Sequence, residues 1–226
     1  MLAKFSYRRE VLVFAAAIPV FAMGAANSAI GQMLLDLQNL PISDDFSSEA
    51  FAVSGNGLVV GGRGTPSQDA WILNDNFMTT FLAPGFGPSA VRDLSADGSV
   101  AVGDSSVGAY RWTAATGGTA LGDFVGGTGT SFSGGVSPDG TIVVGAADAA
   151  TGMQSHLRAF RWTLTNAATG QGTMVNLGDL PGGDSFSVAA KVSHDGSVVV
   201  GGASARAAAA APLPKMTTVV SVAISF

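Results

Sequence analysis

No cysteine occurs in this chain, so neither a disulfide framework nor a thiolate zinc site is available to it. Its stability must come from sheet hydrogen bonds and interlocking units. Glutamate is almost missing: beyond residue 30 only Glu49 remains, which leaves little material for the paired carboxylates of glycoside hydrolysis. His156 and His194 are the only histidines, and they are not spaced as a metal pair. No stretch after residue 30 reaches 18 consecutive apolar residues, so no helix of that part spans a bilayer. Helical periodicity is absent there too, and 31 glycines argue against long helices. The glycine-rich phrases lead into no lysine and no helix start, so they cradle no phosphate.

What is present is repetition. Val53-Ser54-Gly55-Asn56-Gly57, Leu94-Ser95-Ala96-Asp97-Gly98, Val136-Ser137-Pro138-Asp139-Gly140 and Val192-Ser193-His194-Asp195-Gly196 each precede a β-prone run that ends in glycine. The turn glycines Gly57, Gly98, Gly140 and Gly196 lie 41, 42 and 56 residues apart. Counted from these glycines, Trp71 and Trp112 each follow by 14 residues and Trp162 by 22, the longer interval carrying a polar insertion at 151–156. This counting puts the three tryptophans at one position of the repeat.

Each unit divides into four short strands: one before the turn, one after it, one holding the tryptophan and one ending in leucine. Asn-Gly or Asp-Gly between the first two predicts a two-residue type I′ hairpin turn, since Gly takes positive φ freely and Asn or Asp tolerates it. The run Val198-Val199-Val200 is apolar on both faces and suits a strand buried between units. Four strands in about 40 residues predict an all-β repeat protein, a β-propeller-like array of four-stranded units. A β-solenoid is the alternative. The units fall near 33–73, 74–121, 122–177 and 178–202, within a repeat domain over 33–202. Residues 33–41 match 174–181, so the array opens with the last strand of a unit. Residues 203–226 form an Ala/Pro-rich linker and either a strand that closes a small ring or, the favoured reading, unrelated sequence. An open array leaves unpaired strand edges.

Residues 1–29 have the tripartite form of a secretory signal peptide: Lys4, Arg8 and Arg9, then the apolar stretch Val11–Met23, then small residues. Arg8-Arg9 also suits a twin-arginine export signal. The implied location is secreted, cell-surface or periplasmic in a bacterium. Without the leader the formal charge moves from −5 to about −7, which makes nucleic acid and anionic lipid poor partners. The tail over 220–226 alternates like an outer-membrane barrel strand, but one strand makes no barrel.

These phrases resemble the extracellular HAF-repeat family of bacteria. The likeness lies in Leu177-Gly178-Asp179-Leu180-Pro181-Gly182-Gly183, Val192–Gly201 and Ala159-Phe160-Arg161-Trp162-Thr163, and covers about residues 35–202. It implies an extracellular or autotransporter-passenger-like setting and no defined activity. The first unit departs from the pattern at Asp69-Ala70-Trp71, which lacks the arginine, and the fourth lacks the aromatic phrase.

No catalytic, cofactor or metal site is predicted. Asp97, Asp139 and Asp195, like Asn56, read as turn residues, as do Ser95, Ser137 and Ser193. Calcium would need more oxygens than one Asp per hairpin supplies. Asp123 and Asp179 read as organisers of the link between units, and Arg111 and Arg161 as partners for an aspartate of a neighbouring unit. The stretches 62–68, 74–88 and 146–158 vary, and Phe77, Phe81 and Phe86 are the candidate contact residues. The expected function is a non-catalytic scaffold or binding module for protein or glycan. The alternatives are a fragment of a larger surface protein and a hydrolase with its site on a propeller axis, where ionisable groups should converge.

Overall fold

The computed structural model describes residues 13–16, 32–35, 48–64, 69–74, 79–82, 87–151, 154–180, 186–205 and 218–225. Every regular element among them is a strand. β1 (Val13–Ala16) and β2 (Gln32–Leu35) form an antiparallel pair. The first sheet follows as β3 (Ser48–Val53), β4 (Val60–Gly64), β5 (Ala70–Leu73) and β6 (Thr79–Phe81). The second is β7 (Ser89–Leu94), β8 (Val100–Ser105), β9 (Gly108–Thr113) and β10 (Gly117–Ala120). The third is β11 (Ser131–Val136), β12 (Ile142–Thr151), β13 (Gln154–Asn166) and β14 (Gln171–Asn176). The fourth is β15 (Ser187–Val192), β16 (Val198–Ala205) and β17 (Thr218–Ser225).

Each sheet is an antiparallel meander in chain order. The first strands β3, β7, β11 and β15 touch in succession, so the sheets fan from a common edge. This is a propeller-like array, and no parallel solenoid ladder occurs among the described strands. β6, within the variable stretch 74–88, completes the first sheet. β2 pairs with β1 and not with the last sheet, and the tail supplies the third strand of the fourth sheet, with Gly201 opposite Val222. Unrelated sequence at the tail is therefore corrected to a paired strand. The insertion around 151–156 lengthens the β12–β13 hairpin, which closes with Thr151 opposite Gln154.

The turns are built differently from the type I′ expectation. Ser95 N–H donates to the Val100 carbonyl and Gly98 N–H to the Ser95 carbonyl, so the closing pair brackets four residues, not two. The same bonds recur at Ser54, Ser137 and Ser193. Glycine supplies the positive φ after the turn, +75° at Gly98. The serine hydroxyl accepts from the N–H across the loop and donates to the aspartate, at 2.9 and 2.7 Å for Ser95. The aspartate also accepts from the N–H two residues on. This local network selects the four-residue loop, and Asn56 makes the same bonds in the first sheet.

These bonds favour the ionised carboxylate. Ser99 N–H and the Ser95 hydroxyl hold Asp97 below the usual range. Partial burial pushes Asp139 up, but its Ser137 and Thr141 donors outweigh it. The Ser193 hydroxyl and Ser197 N–H bring Asp195 down to about 2. A folded pKa below the unfolded one adds stability that is complete above the unfolded pKa and is lost as pH falls through the folded one. Urea midpoints should hold steady above about pH 5 and decline between about pH 4 and 2. In the triple variant Asp97→Asn, Asp139→Asn, Asp195→Asn that decline should flatten.

One position explains the repeated glycine inside each second strand. Gly62, Gly103, Gly145 and Gly201 lie opposite the first strand just before its register shift. A Cβ there would strike the carbonyl of Glu49, Ala90, Phe132 or Val188. It would also lie 2.9 Å from the ring atoms of Trp71 or Phe160, or from the hydroxyl of Tyr110. The residues paired with the first three glycines are Trp71, Tyr110 and Phe160, each fully buried. Trp112 and Trp162 lie two residues further on and pair with Ala101 and Val143, the place that Leu73 holds in the first sheet. The single tryptophan register is thereby corrected. The link between second and third strands spans 65–69 in the first sheet and only 106–107 in the second, so counting from the turn misaligns Trp71.

Neighbouring sheets are joined twice over. Tyr110 clusters with Ala70, Ile72 and Leu82 of the sheet before it, and Phe160 with Ala109 and Leu121. At all three junctions a serine of the following sheet accepts a backbone N–H: Ala70 to Ser89, Ala109 to Ser131 and Ala159 to Ser187, all at 2.9 Å. These bonds satisfy a buried amide of the third strand that would otherwise be left unpaired.

Candidate functional site

Each first strand carries one extra residue at its register shift: Phe51, Arg92, Gly134 and Ala190. A bulge bends its strand and re-aims the side chains beside it. Here the bulges bring side chains of three sheets together along the shared edge. Phe51 is 41% exposed, with the guanidinium carbons of Arg63 and Arg92 at 5.6 and 5.2 Å from its ring centroid, inside cation–π range. Arg63 pairs with Glu49 at 2.8 Å and Arg92 with Asp104 at 2.6 Å. The Asp104 hydrogen bond raises Arg92 above its ordinary pKa.

Beside this group, Lys191 of the fourth sheet reaches Asp93 of the second at 2.9 Å. It crosses the third sheet at Gly135, where a Cβ would lie 3.2 Å from the lysine Cδ and 3.3 Å from the carboxylate. Glycine at 135 clears that path, and glycine at 134 lets the β15 backbone at Ala189 and Ala190 approach. Asp93 also accepts the Val136 N–H at 2.9 Å, and its side chain is far less exposed than that of Lys191. Asp93→Ala is therefore expected to cost about 1–3 kcal/mol, because it orphans an amide, whereas Lys191→Ala should cost under about 1 kcal/mol. Urea denaturation of both variants reads the difference.

Along this edge Arg63, Arg92 and Lys191 each meet a carboxylate. Among the described residues no three His, Asp or Glu side chains gather as metal ligands. Chemically the surface offers a partly exposed aromatic ring with two guanidinium groups over it.

The other predicted residues are spread over the sheets. His194 lies in the fourth turn and His156 opposite Ala149 on the long hairpin. Phe81 ends β6 opposite Trp71, while Phe77 and Phe86 lie outside the described residues. Asp123 accepts the Phe124 and Gly129 N–H groups, and Asp179 accepts Leu180 N–H and faces Arg158 at 3.6 Å. Arg111 does reach the neighbouring unit, but its Nε donates to the Gly140 carbonyl at 3.0 Å, not to an aspartate. Asp139 is already held by its own turn. Burial lowers the Arg111 pKa. Arg161 donates to the Thr163 hydroxyl at 2.6 Å. Sequence reasoning missed the Asp93–Lys191 pair and the fully buried Asp148, which accepts from Thr128. The Gly134-Gly135 pair inside a strand was the available signal for the first.

The fold and this edge define an all-β array of propeller-type sheets with a charge-balanced axial surface. No family model matches the chain, and no curated protein matches it. Among solved structures it is similar to a putative TolB from Agrobacterium tumefaciens, at 20% identity over 58% of this chain and 49% of that one, TM-score 0.40. It is also similar to TolB from Acinetobacter baumannii, at 13% identity over 75% of this chain and 42% of that one, TM-score 0.42. The chain thus spans less than half the length of either. Among the described residues no helix is long and apolar enough to cross a membrane.

Proposed function

We propose that the chain is an exported, non-catalytic β-repeat scaffold of the HAF type, which binds a protein partner at the axial edge around Phe51. The observation that carries this reading is the contrast in how side chains are used. The recurring serines and aspartates are engaged in turns and between sheets, whereas Phe51 stands 41% exposed between two arginines. Aromatic residues and arginines are the side chains most enriched at protein–protein hot spots. The bacterial envelope or exterior as its place draws on the leader pattern of residues 1–29.

The test is to probe immobilised peptide and glycan panels with the wild type, Phe51→Ala and the distant exposed variant Val175→Ala. The reading expects peptide binding that Phe51→Ala weakens at least tenfold and Val175→Ala leaves unchanged. Glycan binding alone, or equal loss in both variants, contradicts it.

A second reading, a portion of a larger surface protein, draws on Val200. It is 42% exposed, whereas its counterparts Val102 and Val144 are fully buried against the next sheet. Mass spectrometry of the native protein tests that reading.

A further inference from the structure

The space between the third and fourth sheets differs from the two before it. Between the first and second sheets the Tyr110 ring lies among Ala70, Ile72 and Leu82. Between the second and third the Phe160 ring lies among Ala109, Leu121, Val143 and Ala147. Both rings lie against the bulge glycine of their own sheet. In the fourth sheet the register sets Val222 opposite Gly201, a valine where the other sheets carry an aromatic residue.

Beside Gly201 opens a cleft of about 200 Å³, walled by Ala159, Leu177, Val199, Gly201 and Ala203. By register these are the counterparts of Ala109, Leu121, Val143, Gly145 and Ala147, the surroundings of Phe160. The polar feature repeats as well. Tyr110 Oη donates to the Ala90 carbonyl at 3.1 Å, and the Val188 carbonyl stands to Gly201 as the Ala90 carbonyl stands to Gly103.

We propose that this cleft is an anchor site for one aromatic ring, supplied by a phenylalanine or tyrosine side chain of a partner polypeptide. The chain fills the equivalent space twice with its own rings, so the walls already have the spacing a flat ring needs. The size favours a side chain over a metabolite: ligand pockets span roughly 300–1,000 Å³, and a smaller one takes a single ring. Buried aromatic anchors of this kind carry much of the energy of protein interfaces. The choice of a polypeptide rests on the binding-module reading above, whereas ring binding itself does not.

The test titrates p-cresol, and cyclohexanol as a non-planar ring of similar size, into the full chain while amide NMR follows Ala159, Gly201 and Ala203. Capped peptides bearing a single Tyr, Phe or Leu form the second arm. Saturable shifts at those amides with p-cresol are expected, with cyclohexanol at least fivefold weaker. Val222→Phe should fill the space, weaken p-cresol at least tenfold and raise the Tm. If that variant does not fold, Ala203→Leu, which crowds the cleft from β16, should weaken p-cresol likewise. The ring site is overturned if the wild type shows no saturable shift there, if cyclohexanol binds as tightly, or if the filling variants leave affinity unchanged. If p-cresol binds but Tyr and Phe peptides bind no more tightly than Leu peptides, the polypeptide source is overturned and the ring site stands.

Discussion

Replacing Gly103 by alanine is expected to cost about 3 kcal/mol, at the upper end for one added methyl group. The new Cβ would strike the Ala90 carbonyl across the bulge and lie 2.9 Å from the Tyr110 hydroxyl oxygen. The carbonyl is backbone, and the ring is fully buried. The sheet can relieve the clash only by opening the bulge or by expelling the ring, and either breaks the Tyr110–Ala90 bond. Gly57→Ala is the control. Its φ of +73° carries backbone strain, but nothing lies within 4 Å of the new methyl, so about 1–2 kcal/mol is expected. Urea denaturation of both variants separates crowding from conformational strain. Equal losses would mean that the bulge glycine is present for its flexibility, not for its lack of a side chain.

Phe160→Ala should be costlier, about 3–5 kcal/mol, because it empties the middle of the largest cluster, which bridges the second and third sheets. A ring at this position touches both sheets, so its loss removes contacts that hold one unit to the next. Trp112 is only partly buried and packs against the edge of its cluster, so Trp112→Ala should cost less despite the larger side chain. A chain in which the tryptophans were the wedges would give the reverse order.

The hairpins were legible because their chemistry is local. A serine, an acidic or amide residue and a glycine at fixed offsets make one loop, and the chain writes it four times. The loop type was misjudged because its length was read from Asp-Gly alone; the serines are legible as turn residues, and it is the serine that closes the four-residue turn. The aromatic register was misjudged because it depends on a link of variable length. The pairs Ala70-Trp71, Ala109-Tyr110 and Ala159-Phe160 mark the true alignment, and each alanine also donates to the next sheet's serine. The axial group was illegible for a different reason. Arg92, Asp93 and Lys191 meet only through bulges in separate sheets, and a bulge shifts side chains without a periodic trace in the sequence.

The most direct measurement is a set of through-space proton contacts from the two aromatic rings opposite the bulge glycines. The account predicts NOEs from the Tyr110 ring to methyls of Ala70, Ile72 or Leu82, and from the Phe160 ring to those of Ala109 or Leu121, each crossing from one sheet to the one before it. Rings that show contacts only within their own sheet, or tryptophan indoles in their place, would contradict it.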